Sequence, residues 1–391
     1  VMSRLNTIFF EQLNRDLKRR EYALPHLIVD AQALEQNLQY VTTQLRDAKQ
    51  LQPRIVVKSL ACLELLKIIS QKLSTQRFMV FHLPQLLPIL ESFSGADILF
   101  GKPMPASLVK YFYNENHHWQ SSNIQWLVDS YERLLEYLDI AKLFALRLKI
   151  NIEIDVGLHR GGVNTKSSLK QMLGVIQEHT EYLEFTGLMG YDAHVTKLPS
   201  IIKKSEDAYQ ESQQIYQAYI SIIQNEFSHL WRDDLCLNGG GSPSFSFHVK
   251  HSVCNDLSFG SMLLKPSDFD GDNLSVLQPA LWIATPVLKV LPHTQLPGLP
   301  FLNKLPHAYK ALFVYGGYWM ADYIYPKGIR PHVLYGRSTN QEMVNVPKNT
   351  EIEVDDFVFL RPTQSEAIIP QFSKLYCYQN RHFEAWESFR E

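Results

Sequence analysis

The sequence predicts a (β/α)8 barrel followed by a smaller, mostly antiparallel β domain. Short apolar runs alternate with amphipathic helical stretches about eight times over roughly 240 residues, which is the pattern of a parallel barrel. After about residue 270 the composition and the hydrophobic pattern change: proline and aromatic residues become more frequent, and no further long amphipathic stretch follows. We therefore expect two architectures in one chain.

The predicted barrel strands are near-continuous apolar runs, which suit strands buried on both faces of a parallel sheet. The stretches between them place apolar residues on one helical face, as in residues 31–48 and 205–227. A weaker run at 257–264 adds a ninth candidate, so the sequence leaves open which strands begin and close the barrel. The stronger runs are residues 26–30, 54–58, 78–81, 97–101, 124–129, 146–155, 184–191 and 235–238.

The last third of the chain contains runs that are typical of antiparallel strands, at residues 281–284, 310–315 and 356–360. A loop-like stretch rich in proline, serine, aspartate and glycine precedes them and marks a domain boundary. We predict an N-terminal segment that packs on the β domain or the barrel, then the barrel, then the β domain. Their predicted ranges are 1–24, 25–265 and 266–391.

Composition argues against several classes of function. The 391 residues carry a net charge of −2, so nothing draws the whole protein towards nucleic acid or an anionic membrane. With 45% apolar and 20% charged residues, the chain is typical of a folded globular protein. It contains no apolar segment typical of a signal peptide or a membrane span. Its four scattered cysteines form no CxxC pair and fit buried thiols in a reducing compartment, so we expect a cytoplasmic protein.

Functional residues of a (β/α)8 barrel lie at the carboxyl ends of its strands, and several strand ends here are polar. Lys58 closes one buried run, where the cost of burying a cation favours a neutral amine that can form a Schiff base. The alternative is a strand-end lysine that reaches solvent. Another strand is followed by the segment 153–163, which contains acidic residues, glycines, a histidine and Arg160. The alternative is an ordinary loop with a surface ion pair.

Two later strand ends add further candidates. Tyr191 and His194 bring a phenol and an imidazole to one rim, unless they belong to a capped turn. The next strand ends in a run whose successive backbone N–H groups and hydroxyl can cradle a phosphate, with a flexible turn as the alternative. This run is Gly239, Gly240, Gly241 and Ser242. A strand-end lysine together with a late-strand phosphate loop predicts a phosphate-bearing aldehyde cofactor, pyridoxal 5′-phosphate.

These segments resemble the fold-type III pyridoxal-phosphate enzymes. Within that group the chain is similar to the branch of D-threonine aldolase and D-serine dehydratase, which is related to alanine racemases. The similarity covers about residues 20–380, and its most specific part is the order Glu-Ile-Asp-x-Gly-Leu-His-Arg within 153–163. It also rests on residues 24–30, 57–59, 187–194 and 239–242 and, more weakly, on 256–262.

The resemblance implies a homodimer with the site at the subunit interface and a small amino-acid substrate. Lys58 would hold the cofactor as a Schiff base and move the α-proton, and Arg160 would lie near the cofactor's phenolic oxygen. Tyr191 and His194 would flank the ring or its nitrogen. The phosphate would be bound by Gly240, Gly241 and Ser242 beside Gly239, assisted by Gly260 and Ser261.

Two departures separate the chain from the aldolase and dehydratase branch. The Schiff-base lysine there is followed by threonine and histidine, whereas Ser59 and Leu60 follow Lys58 here. The branch also carries a divalent-metal pair of histidine and cysteine or aspartate, and Gln364 and Glu366 stand at those positions. An amide oxygen and a carboxylate suit magnesium or manganese better than zinc. We expect a polar network at this place in preference to a metal site.

The resemblance and the departures favour different reactions. The resemblance implies aldol cleavage or β-elimination of a small D-amino acid. Aldol cleavage needs a base at the β-hydroxyl, and elimination needs an acid, often a metal, to help hydroxide leave. The departures favour racemisation without metal, for which a late tyrosine would be the second proton donor. The candidates are Tyr315, Tyr318, Tyr323, Tyr325, Tyr335 and Tyr376. A non-catalytic carrier of the cofactor is disfavoured, because about 120 residues form a second domain that a carrier does not need.

Overall fold

The computed structural model describes residues 4–20, 23–199, 201, 203–295, 298 and 307–389, with side chains from residue 7 onward. The chain divides into two compact units, which we describe separately. The sheet unit takes its residues from 1–37, 263–270 and 277–390. The barrel unit takes its residues from 38–262 and 271–276.

The strands are numbered in chain order, with β2 to β9 in the barrel unit and the others in the sheet unit. They are β1 (His26–Asp30), β2 (Gln52–Val56), β3 (Arg77–Val80), β4 (Asp97–Phe100), β5 (Asn123–Val128), β6 (Leu148–Glu153), β7 (Leu183–Gly190), β8 (Cys236–Gly239), β9 (Asp256–Phe259), β10 (Leu281–Leu291), β11 (Tyr309–Tyr315), β12 (Ala321–Tyr325), β13 (Arg330–Pro331), β14 (Gln341–Pro347), β15 (Phe357–Pro362), β16 (Lys374–Gln379) and β17 (His382–Glu387).

The helices run between these strands, and side-chain caps fix the start of two of them. Ser130 and Thr165 each accept a backbone N–H three residues on, which satisfies one donor of the first helical turn. The α-helices are α1 (Arg4–Lys18), α2 (Ala31–Asp47), α3 (Leu63–Leu73), α4 (Leu83–Ser92), α5 (Ala106–Glu115), α6 (Tyr131–Phe144), α7 (Lys166–Glu178), α8 (Ser205–Glu226), α9 (Phe245–His248) and α10 (Ser365–Ile368). Within the described part of the chain, every helix is too short or too polar to cross a membrane.

Strands β2 to β9 form a closed parallel barrel in sequence order, and β9 pairs with β2 to complete it. The sheet unit holds a mostly antiparallel sheet, in which β1 is parallel to β16 and antiparallel to β10. The predicted fold class, a (β/α)8 barrel with a C-terminal β domain, is therefore confirmed. All four cysteines are buried and unpaired.

The run at 26–30 belongs to the sheet unit, which settles the question that the sequence left open. The barrel begins with β2 and closes with the weaker run, whose ordered strand is β9. Leu27, Ile28 and Val29 are fully buried, so their continuous apolar pattern reports burial on both faces and does not reveal which sheet they join. The barrel unit accordingly starts at residue 38, later than the residue 25 of the predicted range.

Helix α1 packs on the sheet of its own unit through Phe10, Leu13 and Leu17, which share a core cluster with Trp282 and Phe359. The described part of the N-terminal segment thus lies on the β domain, one of the two predicted alternatives.

The barrel interior contains a buried ionic layer that the sequence did not predict. Arg54 is fully buried and donates from Nε and Nη2 to the two carboxylate oxygens of Asp256 at 2.7 and 2.9 Å. Its Nη1 reaches the carboxylate of Asp97 at 3.1 Å. Asp97 and Asp256 begin β4 and β9, so this layer lies towards the amino-terminal ends of the strands. That end of a barrel contributes stability, whereas the opposite end carries function.

Candidate active site

Lys58 lies in a 3-10 turn, Val57–Leu60, that directly follows β2. Its neighbours Val57, Ser59 and Leu60 are buried and anchor the turn, while Lys58 itself is half-buried. The ammonium nitrogen lies 4.4 Å from the ring centre of Phe81, the residue after β3. The amine is therefore held at the carboxyl ends of two adjacent barrel strands.

The glycine loop, Gly239 to Ser242, continues β8 at the same end of the barrel. Gly240 has φ +77°, which favours glycine, and a Cβ there would lie 2.4 Å from Leu257. A Cβ on Gly239 would lie 2.6 Å from the sulfur of Cys254, and one on Gly241 would lie 2.8 Å from the Tyr191 ring. The loop is thus packed so closely that no side chain fits at three successive positions.

The turn at Gly260 to Met262, which follows β9, connects the Lys58 turn with the glycine loop. Ser242 Oγ accepts the backbone N–H of Met262 at 3.0 Å and, more weakly, that of Gly260 at 3.5 Å. Ser261 Oγ donates to the hydroxyl of Ser59, the residue next to Lys58, at 2.8 Å. These contacts join the ends of β2, β9 and β8, which are neighbours in the barrel.

Arg160 and Tyr191 form a second contact at this end of the barrel. The guanidinium carbon of Arg160 lies 4.8 Å from the centre of the Tyr191 ring, within the range of a cation–π interaction. Asp155 orders the loop that carries Arg160, since it accepts hydrogen bonds from the backbone N–H groups of Gly157 and His159. Burial opposes ionisation of Asp155, but the bonds from His159 and Gly157 lower its pKa overall.

His194 is oriented by a serine that the sequence did not single out. Ser212, on α8, donates its hydroxyl to the carbonyl of Val156 at 2.7 Å, so its oxygen accepts the Nε2–H of His194 at 3.2 Å. The Nδ1 atom of His194 is buried and has no hydrogen-bond partner among the described residues. Burial lowers the pKa of His194, which favours a neutral ring with an acceptor lone pair on Nδ1.

Glu153, the last residue of β6, is a second residue that sequence reasoning did not assign to the site. Burial raises the pKa of its carboxyl to about 7, and the nearby negative charge of Asp129 adds to this effect. Arg160 acts in the opposite direction. The carboxyl therefore changes charge near neutral pH, next to a predicted cofactor-binding arginine.

We expect the variant Glu153→Gln to gain stability relative to the unmodified protein as the pH rises from 5 to 8. Because the pKa of Glu153 is raised in the folded state, the free energy of unfolding of the unmodified protein falls as the pH rises above the usual carboxyl value near 4.5. The glutamine amide does not ionise, so the variant does not lose this stability. The difference in the free energy of unfolding should grow by about 2–3 kcal/mol over this range, measured by urea unfolding of cofactor-free protein. Glu132→Gln, at an exposed position, serves as a control whose stability difference from the unmodified protein should not change with pH. If the difference for Glu153→Gln is equally independent of pH, the raised pKa of Glu153 is wrong.

Gln364 and Glu366, at the predicted metal positions, lie in the sheet unit and take part in polar contacts. The Gln364 side chain donates to the carboxylate of Asp268 at 2.8 Å. Arg361 forms a two-point ion pair with Asp270, at 2.6 and 2.7 Å. Across the described residues, no group of three or more histidine, cysteine, aspartate or glutamate side chains is placed to hold a metal ion.

Comparison with known proteins places the barrel in a family. The sequence profile described as "Alanine racemase, N-terminal domain" matches residues 29–267, more than half of the chain. The chain belongs to this family. As the sequence resemblance implied, it is thus a member of the fold-type III pyridoxal-phosphate group. Among curated protein sequences, no significant match to the chain is found.

Solved structures share the complete fold at low sequence identity. D-threonine aldolase from Filomicrobium marinum is 14% identical, with a TM-score of 0.74 over 93% of this chain and 96% of that one. D-threo-3-hydroxyaspartate dehydratase from Delftia sp. HT23 is 13% identical, with a TM-score of 0.71 over 94% and 97%. Alanine racemase from Bacillus anthracis is 15% identical, with a TM-score of 0.71 over 94% and 98%. These values establish a common fold and leave the reaction open.

The residues of this alanine racemase-type barrel fit pyridoxal phosphate chemically. Lys58 offers a primary amine at a strand end, and the glycine loop carries no side chain at three successive positions, which suits a phosphate bound by backbone N–H groups. Ser242 and Ser261 add hydroxyl groups beside it. Each predicted cofactor residue of this set thus lies at the functional end of the barrel.

Proposed function

We propose that the protein is a pyridoxal-phosphate-dependent enzyme that acts at Cα of a small amino acid, of D configuration as the family resemblance implies. The observation that supports this most is the connection of the Lys58 turn, the Gly260–Met262 turn and the glycine loop through serine hydroxyls. An amine and a phosphate loop at neighbouring strand ends are what a phosphorylated aldehyde requires.

The proposed roles follow from the chemistry of each side chain. Bound pyridoxal phosphate supplies an electron sink that stabilises negative charge at Cα. The Lys58 amine would hold the cofactor covalently and move the α-proton, while the backbone of the glycine loop, Ser242, Gly260 and Ser261 would hold the phosphate. Arg160, kept over Tyr191, would supply positive charge to the ring oxygen. His194 would accept a hydrogen bond at Nδ1.

The reaction is proposed as aldol cleavage or β-elimination, with racemisation as the alternative. Tyr318, one of the late tyrosines proposed as the second proton donor, supports the alternative. Its side chain is 60% exposed, so the phenol is accessible to solvent, and its φ of +52° lies in the left-handed region, which is unusual for a residue other than glycine.

We also propose a homodimer that uses an apolar patch of the sheet unit. Arg337 donates to the carbonyls of Trp319 and Ala321 and thereby brings two exposed segments together. Their large apolar residues are between 39% and 87% exposed, which is typical of an interaction surface. The patch consists of Tyr315, Tyr318, Met320, Val333, Leu334 and Tyr335. Sedimentation velocity at micromolar concentration should give a dimer, and a monomer would contradict this part of the proposal.

Proton NMR in heavy water would test the proposed reaction. The protein loaded with pyridoxal phosphate is incubated with both enantiomers of alanine, serine and threonine, with and without a chelator. Glycine and acetaldehyde from D-threonine identify an aldolase, and pyruvate from D-serine identifies a dehydratase. Loss of the α-proton signal with inversion identifies a racemase. Chelator sensitivity would assign Gln364 and Glu366 to a metal site.

The same panel can contradict the proposal. If the protein binds the cofactor and no amino acid exchanges its α-proton, is cleaved to glycine or is converted to pyruvate, the three reactions are excluded for these amino acids. The carrier alternative would then gain support over the enzyme.

A further inference from the structure

A buried carboxylate lies between the two aromatic residues predicted to flank the cofactor. Asp192 stands between Tyr191 and His194 in sequence and is 1% exposed. One of its oxygens accepts the Ser244 hydroxyl at 2.6 Å, and the other pairs with Nε2 of His248 at 2.8 Å. Both partners belong to the segment that directly follows the glycine loop. Neither was singled out by the sequence.

The imidazole of His248 forms the floor of the glycine loop. A Cβ on Gly239 would lie 3.3 Å from Cε1 of His248, and one on Gly240 would lie 3.1 Å from Cδ2. The ring therefore packs directly against the backbone that is proposed to receive the phosphate. Because the ring occupies the space beside these two glycines, its position limits how far the backbone can move towards it.

Further contacts fix the ring of His248 on its remaining sides. Its Nδ1 atom lies 2.8 Å from the hydroxyl of Ser252, and the ring of Tyr209 meets it edge-on with centres 5.1 Å apart. With Nε2 on Asp192, both ring nitrogens are engaged. The orientation of the imidazole is thus determined by hydrogen bonds as well as by packing.

The far side of the same loop contacts Tyr191. The ring of Tyr191 occupies the space that a Cβ on Gly241 would need, at 2.8 Å. Asp192 is covalently next to Tyr191 and bonded to His248, so the carboxylate connects the two side chains that pack against the loop. The glycine loop is held between them.

We propose that Asp192 and His248 are positioning residues that fix the glycine loop in the conformation that binds the phosphate of the cofactor. This inference rests on the proposed function. The buried contact between Asp192 and His248 contributes little net stability, since the cost of burying the carboxylate offsets most of the attraction, so the contact is better explained by the geometry that it imposes. The charge of Asp192 is retained despite burial, because His248 and Ser244 lower its pKa.

The test compares the affinity of His248→Phe for pyridoxal phosphate and for pyridoxal, which lacks the phosphate. Phenylalanine preserves a ring beneath the loop and removes the N–H that Asp192 accepts. Absorbance titration of the full-length protein should show at least about tenfold weaker binding of pyridoxal phosphate, and less than about threefold weaker binding of pyridoxal. Inorganic phosphate should compete less well with pyridoxal phosphate in the variant. His248→Gln, which can still donate to Asp192, should recover part of the loss.

Two further variants make the test independent of a general loss of stability. Tyr137→Phe removes a buried hydroxyl of the barrel unit that bonds to Met104, and neither residue is among those proposed to bind the cofactor, so both affinities should be unchanged. Asp192→Asn should weaken binding of the phosphorylated ligand in the same way as His248→Phe. The double variant of Asp192 and His248 should lose no more than His248→Phe alone, because the two residues act as one unit.

The outcomes separate this inference from the proposed function. Suppose that the unmodified protein binds pyridoxal phosphate. If His248→Phe and Asp192→Asn then bind it as tightly as Tyr137→Phe does, the positioning role is wrong and the proposed function stands. An equal loss for pyridoxal and its phosphate also contradicts the role. If the unmodified protein fails to bind pyridoxal phosphate, both are wrong.

Discussion

Replacing Lys58 with alanine is expected to abolish covalent binding of pyridoxal phosphate and to lower turnover on the order of 10²–10⁴-fold or more. The amine is the group proposed to hold the cofactor and to move the α-proton, and the turn that carries it is anchored by its buried neighbours. Loss of the visible absorbance of the bound cofactor, followed by mass spectrometry after borohydride reduction, measures the first effect. The NMR panel measures the second.

Two comparisons make this result specific. Lys58→Arg keeps a positive charge near the Phe81 ring but cannot form the covalent link, so it should fail in the same way. Lys142→Ala, at an exposed position of α6, should behave as the unmodified protein. Retained covalent labelling in the Lys58→Ala variant would show that another lysine holds the cofactor and would overturn the proposed site.

The barrel was predictable because its signal repeats along the chain. Parallel strands buried on both faces give continuous apolar runs, and the helices between them give a period near 3.6. The first strand was the ambiguous case. Residues 26–30 have the same apolar pattern as a barrel strand, and only the pairing of β1 with β10 and β16 distinguishes them.

Sequence reasoning proposes site residues where the chemistry depends on residue type at a strand end. Lys58 and the glycine loop are of this kind, and the structure places both at the carboxyl ends of barrel strands. Ser212 and His248 are of another kind, because their proposed roles depend on contacts with residues that are distant in the chain. His248 contacts Asp192, which lies 56 residues away in sequence, and a single sequence does not show such a contact.

The ionic layer inside the barrel escaped prediction for the same reason. Arg54 and Asp97 begin apolar runs and Asp256 directly precedes one, so in sequence all three look like ordinary strand ends. Closure of the barrel brings β2, β4 and β9 around one axis, and their charges then meet in its interior. The parity of each strand determines which side chains point inwards, and that parity follows from register, which the sequence leaves undetermined.

The variant Arg54→Met is expected to lower the free energy of unfolding by about 3–5 kcal/mol. Methionine fills much of the volume but leaves the buried carboxylate of Asp256 without its two-point partner, and Arg77, at 3.0 Å, provides only one remaining cation. Urea unfolding at neutral pH measures the loss. Arg232→Met removes partly exposed contacts with Asp234, Glu184 and the carbonyl of Phe185 in the same unit, and it should cost at most about 1 kcal/mol.

The pH dependence of this loss identifies its electrostatic origin. Burial opposes ionisation of Asp256, but the charge of Arg54 and its hydrogen bonds lower the pKa of the carboxyl below its usual value. A depressed pKa contributes stability above the unfolded-state value near 4 and loses it as the pH falls through the folded-state value. The difference in the free energy of unfolding between Arg54→Met and the unmodified protein should therefore shrink as the pH falls below about 4.

Adding Asp256→Asn to Arg54→Met should recover part of the stability, because the uncompensated charge is removed. If the stability difference is the same at every pH and the double variant recovers nothing, Arg54 stabilises the protein by packing and not by its charge.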